Sequence, residues 1–333
     1  MKKVLLTGGT GFLGANLVRH LVEREQEVLC LTRKQSPGLC LDGLPITTSQ
    51  APLSDVEALA RAMEGVEEVY HLAGVFDTSP KGRELMYAVH VDGTRNLLQA
   101  AHKVGARRVV VCSSSVTVGF GSLESPGDED TPLDPTPIYG HDGPLRWYHD
   151  SKLACEEVVR SAEGVEAVIV NPDFILGAWD IKPTSGQMVL TMARRWVPVY
   201  PKGGKCFQDA DDCALGHILA MEKGQPGRRY LLGNENHSYR DFMGIIAEVV
   251  GRRPPIVPLP RTLAELAGLV GAVGSRFDAH RFVGLNRYVL RSMGMPRYRS
   301  AALARDTLGL PATPLNVSVE KAWRWFRDHG YLD

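Results

Sequence analysis

Long apolar runs, paired cysteines and an excess of charge of either sign are all missing from this chain of 333 residues. Its 38 Lys and Arg are matched by 38 Asp and Glu, which leaves no electrostatic footprint for nucleic acid or an anionic membrane. The six cysteines, Cys30, Cys40, Cys112, Cys155, Cys206 and Cys213, are scattered without a Cys-x-x-Cys pair. A reduced, cytoplasmic chain follows more naturally than a disulfide framework or a zinc site. Ten histidines show no ligand-like spacing, so no metal is expected. The aliphatics after Met1-Lys2-Lys3 stop at Thr7 and Gly8, too soon for a signal peptide. No membrane span is expected, because the apolar, small-residue-rich stretch 263–273 is too short to cross a bilayer. It reads as a lobe helix on the core or in a pocket wall, with membrane-surface contact as the alternative.

What is present is ordinary globular chemistry, with 44% hydrophobic and 23% charged residues, arranged in a regular alternation. Apolar strands are expected at 4–6, 28–32, 68–72, 108–112 and 165–170. Helices are expected at 13–23, 56–63, 84–104 and 147–162. Short buried strands separated by helices imply an α/β fold, a Rossmann-type doubly wound parallel sheet with its ligand crevice beyond the strands' C-terminal ends. Past Asn171 prolines and glycines break the rhythm. The expected organisation is a dinucleotide-binding domain at 1–171 and a smaller α/β substrate lobe at 172–333, with elements that return to the sheet.

The first strand runs into Thr7-Gly8-Gly9-Thr10-Gly11-Phe12-Leu13-Gly14. Gly8 permits the tight turn, Gly11 lets backbone approach a pyrophosphate, and Gly14 lets the helix lie close on the sheet. The helix N-terminus then offers free N–H groups to phosphate. At the end of the second strand, Leu31-Thr32-Arg33-Lys34 carries no carboxylate for a ribose 2′-hydroxyl. Arg33 and Lys34 suit a 2′-phosphate instead, so NADP(H) is preferred and NAD(H) is the second choice. The alternative is that both charges are merely solvated.

Tyr148-His149-Asp150-Ser151-Lys152 places a phenol and an ammonium four residues apart on one helix face. A free tyrosine, with a pKa near ~10, is a poor acid–base catalyst at neutral pH. A neighbouring lysine cation favours the phenolate. The run Cys112-Ser113-Ser114-Ser115 ends the preceding strand, where a hydroxyl can donate to a substrate carbonyl.

Together, Thr7 to Gly14, His71-Leu72-Ala73-Gly74, the serine run and Tyr148 with Lys152 resemble the extended short-chain dehydrogenase/reductase superfamily, also called the NAD-dependent epimerase/dehydratase superfamily. The resemblance covers essentially the whole chain and is nearest the dihydroflavonol-4-reductase-like and hopanoid-associated sugar-epimerase-like branches. It implies Ser115 as the carbonyl-polarising hydroxyl, Tyr148 as proton donor or acceptor, and Lys152 as holder of the nicotinamide ribose. It also implies that the cofactor touches Gly8, Thr10, Gly11, Phe12, Leu13 and Gly14. Leu72, Ala73 and Gly74 would lie near its ribose and phosphates, and Asn171, Pro172 and Phe174 near the nicotinamide amide. His71 is expected to pack beneath this loop.

Two positions depart from the family pattern. The usual Asn-Val-x-Gly-Thr reads His90-Val91-Asp92-Gly93-Thr94, and the usual Gly-Asp before Leu53 reads Ala51-Pro52. The asparagine is mainly a structural partner of its helix, so catalysis should survive its replacement. The leading function is a ketone reductase or secondary-alcohol dehydrogenase for a bulky, partly apolar small molecule, which Trp147 beside Tyr148 favours. The alternative is a nucleotide-sugar epimerase or dehydratase, weakened by Lys205-Cys206-Phe207 where such enzymes carry an arginine before the phenylalanine. The acidic, proline-rich connection 119–145 either covers substrate or decorates the surface. Apolar residues on several faces of the 84–104 and 147–162 helices, with the family's pairing of these helices, imply a homodimer.

Overall fold

The computed structural model describes residues 2–33, 38–259 and 287–332. Lys34 and the stretch 263–273 lie outside them. β1 (Lys3–Thr7) leads through α1 (Phe12–Glu23) to β2 (Glu27–Leu31), the short β3 (Thr47–Ser49), α2 (Val56–Ala62) and β4 (Glu68–His71). Next come α3 (Gly82–Tyr87), a π-helical stretch Ala88–Asp92, α4 (Gly93–Lys103), β5 (Arg108–Cys112) and a 3-10 turn Ser115–Thr117. α5 (Thr136–Tyr139) and α6 (Pro144–Arg160) precede β6 (Glu166–Pro172). The later elements are β7 (Phe174–Leu176), α7 (Gln187–Arg194), β8 (Val199–Tyr200), β9 (Gly204–Asp209), α8 (Ala210–Lys223), β10 (Arg229–Leu232) and β11 (Glu235–Ser238). They finish with α9 (Tyr239–Val249), β12 (Val257–Pro258), α10 (Arg287–Met293), β13 (Pro296–Arg297) and α11 (Leu315–Asp328).

Seven strands form one parallel sheet in the order β10-β6-β5-β4-β1-β2-β3. β1 therefore lies between β2 and β4, pairing Thr7 with Leu31 on one side and His71 on the other. Chain order reverses there, so the crevice of a doubly wound fold opens beyond Thr7 and His71. Alternating side chains explain the two-sided apolar runs. Leu6, Tyr70, Val110 and Val168 meet Leu17, Leu21, Ile218 and Met221 on one face. Leu5, Val69, Val109 and Ile169 meet Leu59, Met63, Leu97 and Val159 on the other.

The expected strands and helices are present, with shifts that have local causes. α6 starts three residues early, at Pro144, whose fixed φ suits a first helical turn. The expected single helix 84–104 is interrupted at Ala88–Asp92, where the Thr94 hydroxyl takes the His90 carbonyl at 2.6 Å. β3 was not expected, because Thr-Thr-Ser carries no apolar pattern, and it pairs only with β2 at the sheet edge.

A second, four-stranded sheet gathers β7, β11 and β13 around β9. Phe207, Phe242, Leu176, Val189, Ile246 and Val319 form its core. The first half of the 119–145 connection is pinned rather than loose. Gly121 and Gly127 donate to the Tyr298 carbonyl, and the buried Glu129 carboxylate accepts the Leu231 N–H at 2.8 Å. None of the described helices is long and apolar enough to cross a membrane.

Candidate active site

The glycine turn is shaped by its own crowding. Gly8 has φ +77°, and a Cβ there would lie 2.7 Å from the Leu72 carbonyl carbon. A Cβ on Gly14 would lie 2.2 Å from the Gly8 oxygen, so these two positions serve chain packing. Gly11 is exposed, and its Cβ would meet only the Gly8 oxygen, at 3.3 Å. α1 begins at that point with no side-chain cap and no acid in its first turn. Uncapped N–H groups above a cradle free of Cβ atoms fit a dinucleotide pyrophosphate. Arg33 is exposed just beyond β2.

The β4 end is tied to this turn by hydrogen bonds that also fix the tautomer of His71. The Ala73 N–H donates to Thr7 Oγ1 at 3.1 Å, and the Thr7 hydroxyl in turn donates to His71 Nδ1 at 2.7 Å. The Thr94 hydroxyl gives its proton to the His90 carbonyl, so His71 Nε2 carries a proton and donates to Thr94 Oγ1 at 3.1 Å, which leaves Nδ1 to accept from Thr7. Burial, reinforced by the Lys152 charge, pushes His71 down to about 3. His71 thus lies beneath the loop, as expected, and stays neutral there.

On α6, Lys152 is buried and its ammonium donates to the Cys112 carbonyl at 2.9 Å, at the end of β5. Burial opposes its charge, but Tyr148, Cys155, Cys112 and Glu156 outweigh that and raise its pKa. Tyr148 stands one turn earlier and remains partly accessible. Its ring meets Phe76 and His90 edge-on, each with centroids 5.6 Å away. Ser115 opens the 3-10 turn and is buried, and its hydroxyl has no hydrogen-bond partner among the described residues. Trp147 donates its indole N–H to Asp142, just ahead of α6.

Other expected site residues have partners of their own. The Asn171 amide donates to Ser114 O at 3.0 Å, Thr117 Oγ1 at 3.1 Å and Glu156 Oε1 at 2.7 Å. The phenyl ring of Phe174 packs in the lobe, 5.3 Å from that of Phe207, and Pro172 pairs with Leu232 across β6 and β10.

Sequence reasoning did not single out Glu156. Its buried carboxylate accepts from Ser113 and Thr117, each at 2.6 Å, and pairs with Arg160 at 2.9 Å. The signal was available, since Glu156 follows Lys152 by four residues on the same helix face. Asp173 is a second such residue, with its side chain 1% exposed and 2.7 Å from Arg299. Burial opposes the Asp173 charge, but Arg299 and Lys205 hold its carboxyl below the usual range. Lys205 lies 3.3 Å from Asp173. Its burial, with Arg297 and Arg299 against the pull of Asp173, brings Lys205 down to about 8.

A glycine turn at the switch point of a parallel sheet, with a tyrosine–lysine pair across the crevice, defines a dinucleotide-binding α/β enzyme. The family model described as "NAD dependent epimerase/dehydratase family" matches residues 4–233, and the chain belongs to that family. It is an NAD(P)-dependent oxidoreductase of the extended short-chain dehydrogenase/reductase type. A Synechocystis protein provisionally named dihydroflavonol 4-reductase is 35% identical over 98% of this chain and 95% of its own length. Sterol demethylase protein B of Methylococcus capsulatus is 32% identical over 98% of this chain and 99% of its own. The crystal structure of gox2253 superposes with a TM-score of 0.84 at 32% identity, covering 100% of both chains.

Proposed function

We propose that this enzyme is an NADP(H)-dependent ketone reductase or secondary-alcohol dehydrogenase acting on a bulky, partly apolar small molecule. The observation that carries the reading is the partly accessible Tyr148 phenol one helical turn from a buried Lys152 ammonium. Two relatives over nearly the full length support it, one provisionally named dihydroflavonol 4-reductase, which fits the chemistry, and one named sterol demethylase protein B, which fits a bulky, apolar substrate. Residues 1–171 bind the dinucleotide through Gly8 to Gly14 and Leu72 to Gly74, and 172–333 shape the substrate end. When bound, the nicotinamide supplies or takes the hydride. Tyr148 gives its phenolic proton to the carbonyl oxygen in reduction, or takes it from the alcohol in the reverse direction. Lys152 stabilises the phenolate so formed, and Ser115 donates its uncommitted hydroxyl to the oxygen as negative charge develops.

The epimerase or dehydratase alternative keeps support from the family's name. Lys205, which stands where such enzymes carry an arginine, is committed here to Asp173. Cofactor retained through purification would favour that alternative, and exchangeable cofactor favours the reductase.

Selectivity for NADP(H) is assigned to Arg33 and Lys34. Arg33→Asp should weaken NADPH binding by roughly tenfold more than NADH binding, through loss of charge-assisted bonds and added repulsion. Titrations of both cofactors decide this, and an equal loss for the two would refute a 2′-phosphate role. We place the enzyme in the cytoplasm as a homodimer joined through the faces of α4 and α6, on which Leu153 is 37% exposed. A monomeric mass in solution at micromolar concentration would contradict the dimer.

A further inference from the structure

The His90 side chain lies in the π-helical stretch Ala88–Asp92, buried to 1% exposure. Such widened turns are frequent at functional sites. The Val75 N–H donates to His90 Nε2 at 3.0 Å. The ring proton therefore sits on Nδ1, which donates to Ser151 Oγ at 2.9 Å, and that hydroxyl donates to the Tyr148 carbonyl at 3.1 Å. Thr94, the end of the hydrogen-bond chain from Ala73 through Thr7 and His71, donates to the His90 carbonyl. Both ends of the Ala73-Gly74-Val75 loop thus converge on one residue. Gly74 is shaped to the same point, since a Cβ there would lie 3.4 Å from His90 Nε2 and 3.5 Å from Lys152 Nζ.

The geometry points to His90 as a positioning residue that locks the Gly74-Val75 loop to the Tyr148–Lys152 turn of α6, setting cofactor wall and acid–base residue in one register. This rests on the reading of that loop as cofactor-binding and of Tyr148 as the acid–base residue. An imidazole can do this because its two nitrogens serve opposite roles on opposite sides, one accepting from the loop and one donating to the helix. An asparagine, with its amide nitrogen near the Nδ1 position, reaches Ser151 alone. A glutamine, with its amide oxygen near the Nε2 position, reaches Val75 alone. The ring also remains uncharged beside Lys152, because burial and then the Lys152 charge push it down to about 2.

The two halves of the bridge can therefore be cut separately. NADPH and NADH are titrated into wild type, His90→Asn, His90→Gln and His90→Leu by cofactor fluorescence. Turnover is followed at saturating cofactor on a bulky ketone that the wild type reduces, and each melting temperature is recorded. His90→Asn should raise the cofactor Kd about 10-fold and leave kcat within about threefold. His90→Gln should keep the Kd within about twofold and lower kcat about 10-fold, and His90→Leu should show both losses. The rescue of cofactor affinity by glutamine is the readout that a merely structural histidine would not produce. If cofactor affinity and kcat fall together in every variant in step with the melting temperature, or do not move at all, the positioning role is wrong and the functional reading stands. A wild type that binds neither cofactor removes the functional reading and this role with it.

Discussion

Tyr148→Phe is expected to slow the chemical step by at least roughly 10²-fold while leaving cofactor affinity nearly unchanged. The substitution keeps the ring that meets Phe76 and His90 edge-on, and it deletes only the transferable proton. Lys152→Met should damage both turnover and cofactor binding. It removes the cation beside the phenol and also the donor that holds the Cys112 carbonyl. Ser115→Ala should lower turnover alone, since its hydroxyl serves no other described group. Single-turnover hydride transfer, run beside a cofactor titration for each variant, separates these outcomes. Wild-type hydride transfer by Tyr148→Phe on a confirmed substrate would end the assignment of Tyr148 as the acid–base residue.

The second large effect concerns stability. Arg299 is fully committed, donating to the carbonyls of Gly119 and Val118 at 2.9 and 2.8 Å and to Asp173 at 2.7 Å. It joins the 119–145 connection, the end of β6 and the segment after β13. Arg299→Met should cost about 3–5 kcal/mol, because it leaves two carbonyls without their donor and the buried Asp173 carboxylate with Lys205 as its remaining cation. Asp173→Asn added to Arg299→Met should recover part of that loss, since the carboxylate charge that has lost its nearer partner is then gone. Denaturant unfolding of the two single variants and the double variant tests this. Strict additivity would mean that the pair is not coupled. The pH dependence has a definite sign. The Asp173 carboxyl is held below its ordinary value of 3.8. Its contribution is therefore fully present above the unfolded value and is lost as pH falls through the lower folded one. Between about pH 5 and 6, above the Asp173 titration and below that of Lys205, the effect of Arg299→Met should not change with pH.

The parallel sheet, the glycine turn and the tyrosine–lysine pair are legible in the residues alone. Each rests on local rules that survive without tertiary context: two-sided apolar runs, positions where a Cβ would collide, and four-residue spacing on a helix. Residues that act through partners distant in sequence were not legible. The spacing of Glu156 from Lys152 marks its helix face, but only β5 and β6 bring Ser113, Thr117 and Asn171 to its carboxylate. The partners of Asn171 and Phe174 are equally illegible, the Asn171 amide being taken by that carboxylate and the Phe174 ring by the lobe core. His90 reads as a departure from a family pattern. Only the packing of α6 against the loop after β4 gives its two nitrogens opposite tasks. Helix and strand signals are written in the spacing of a single segment. The sites of buried polar groups are decided by which segments meet, because a desolvated donor or acceptor must find its partner wherever the fold supplies one.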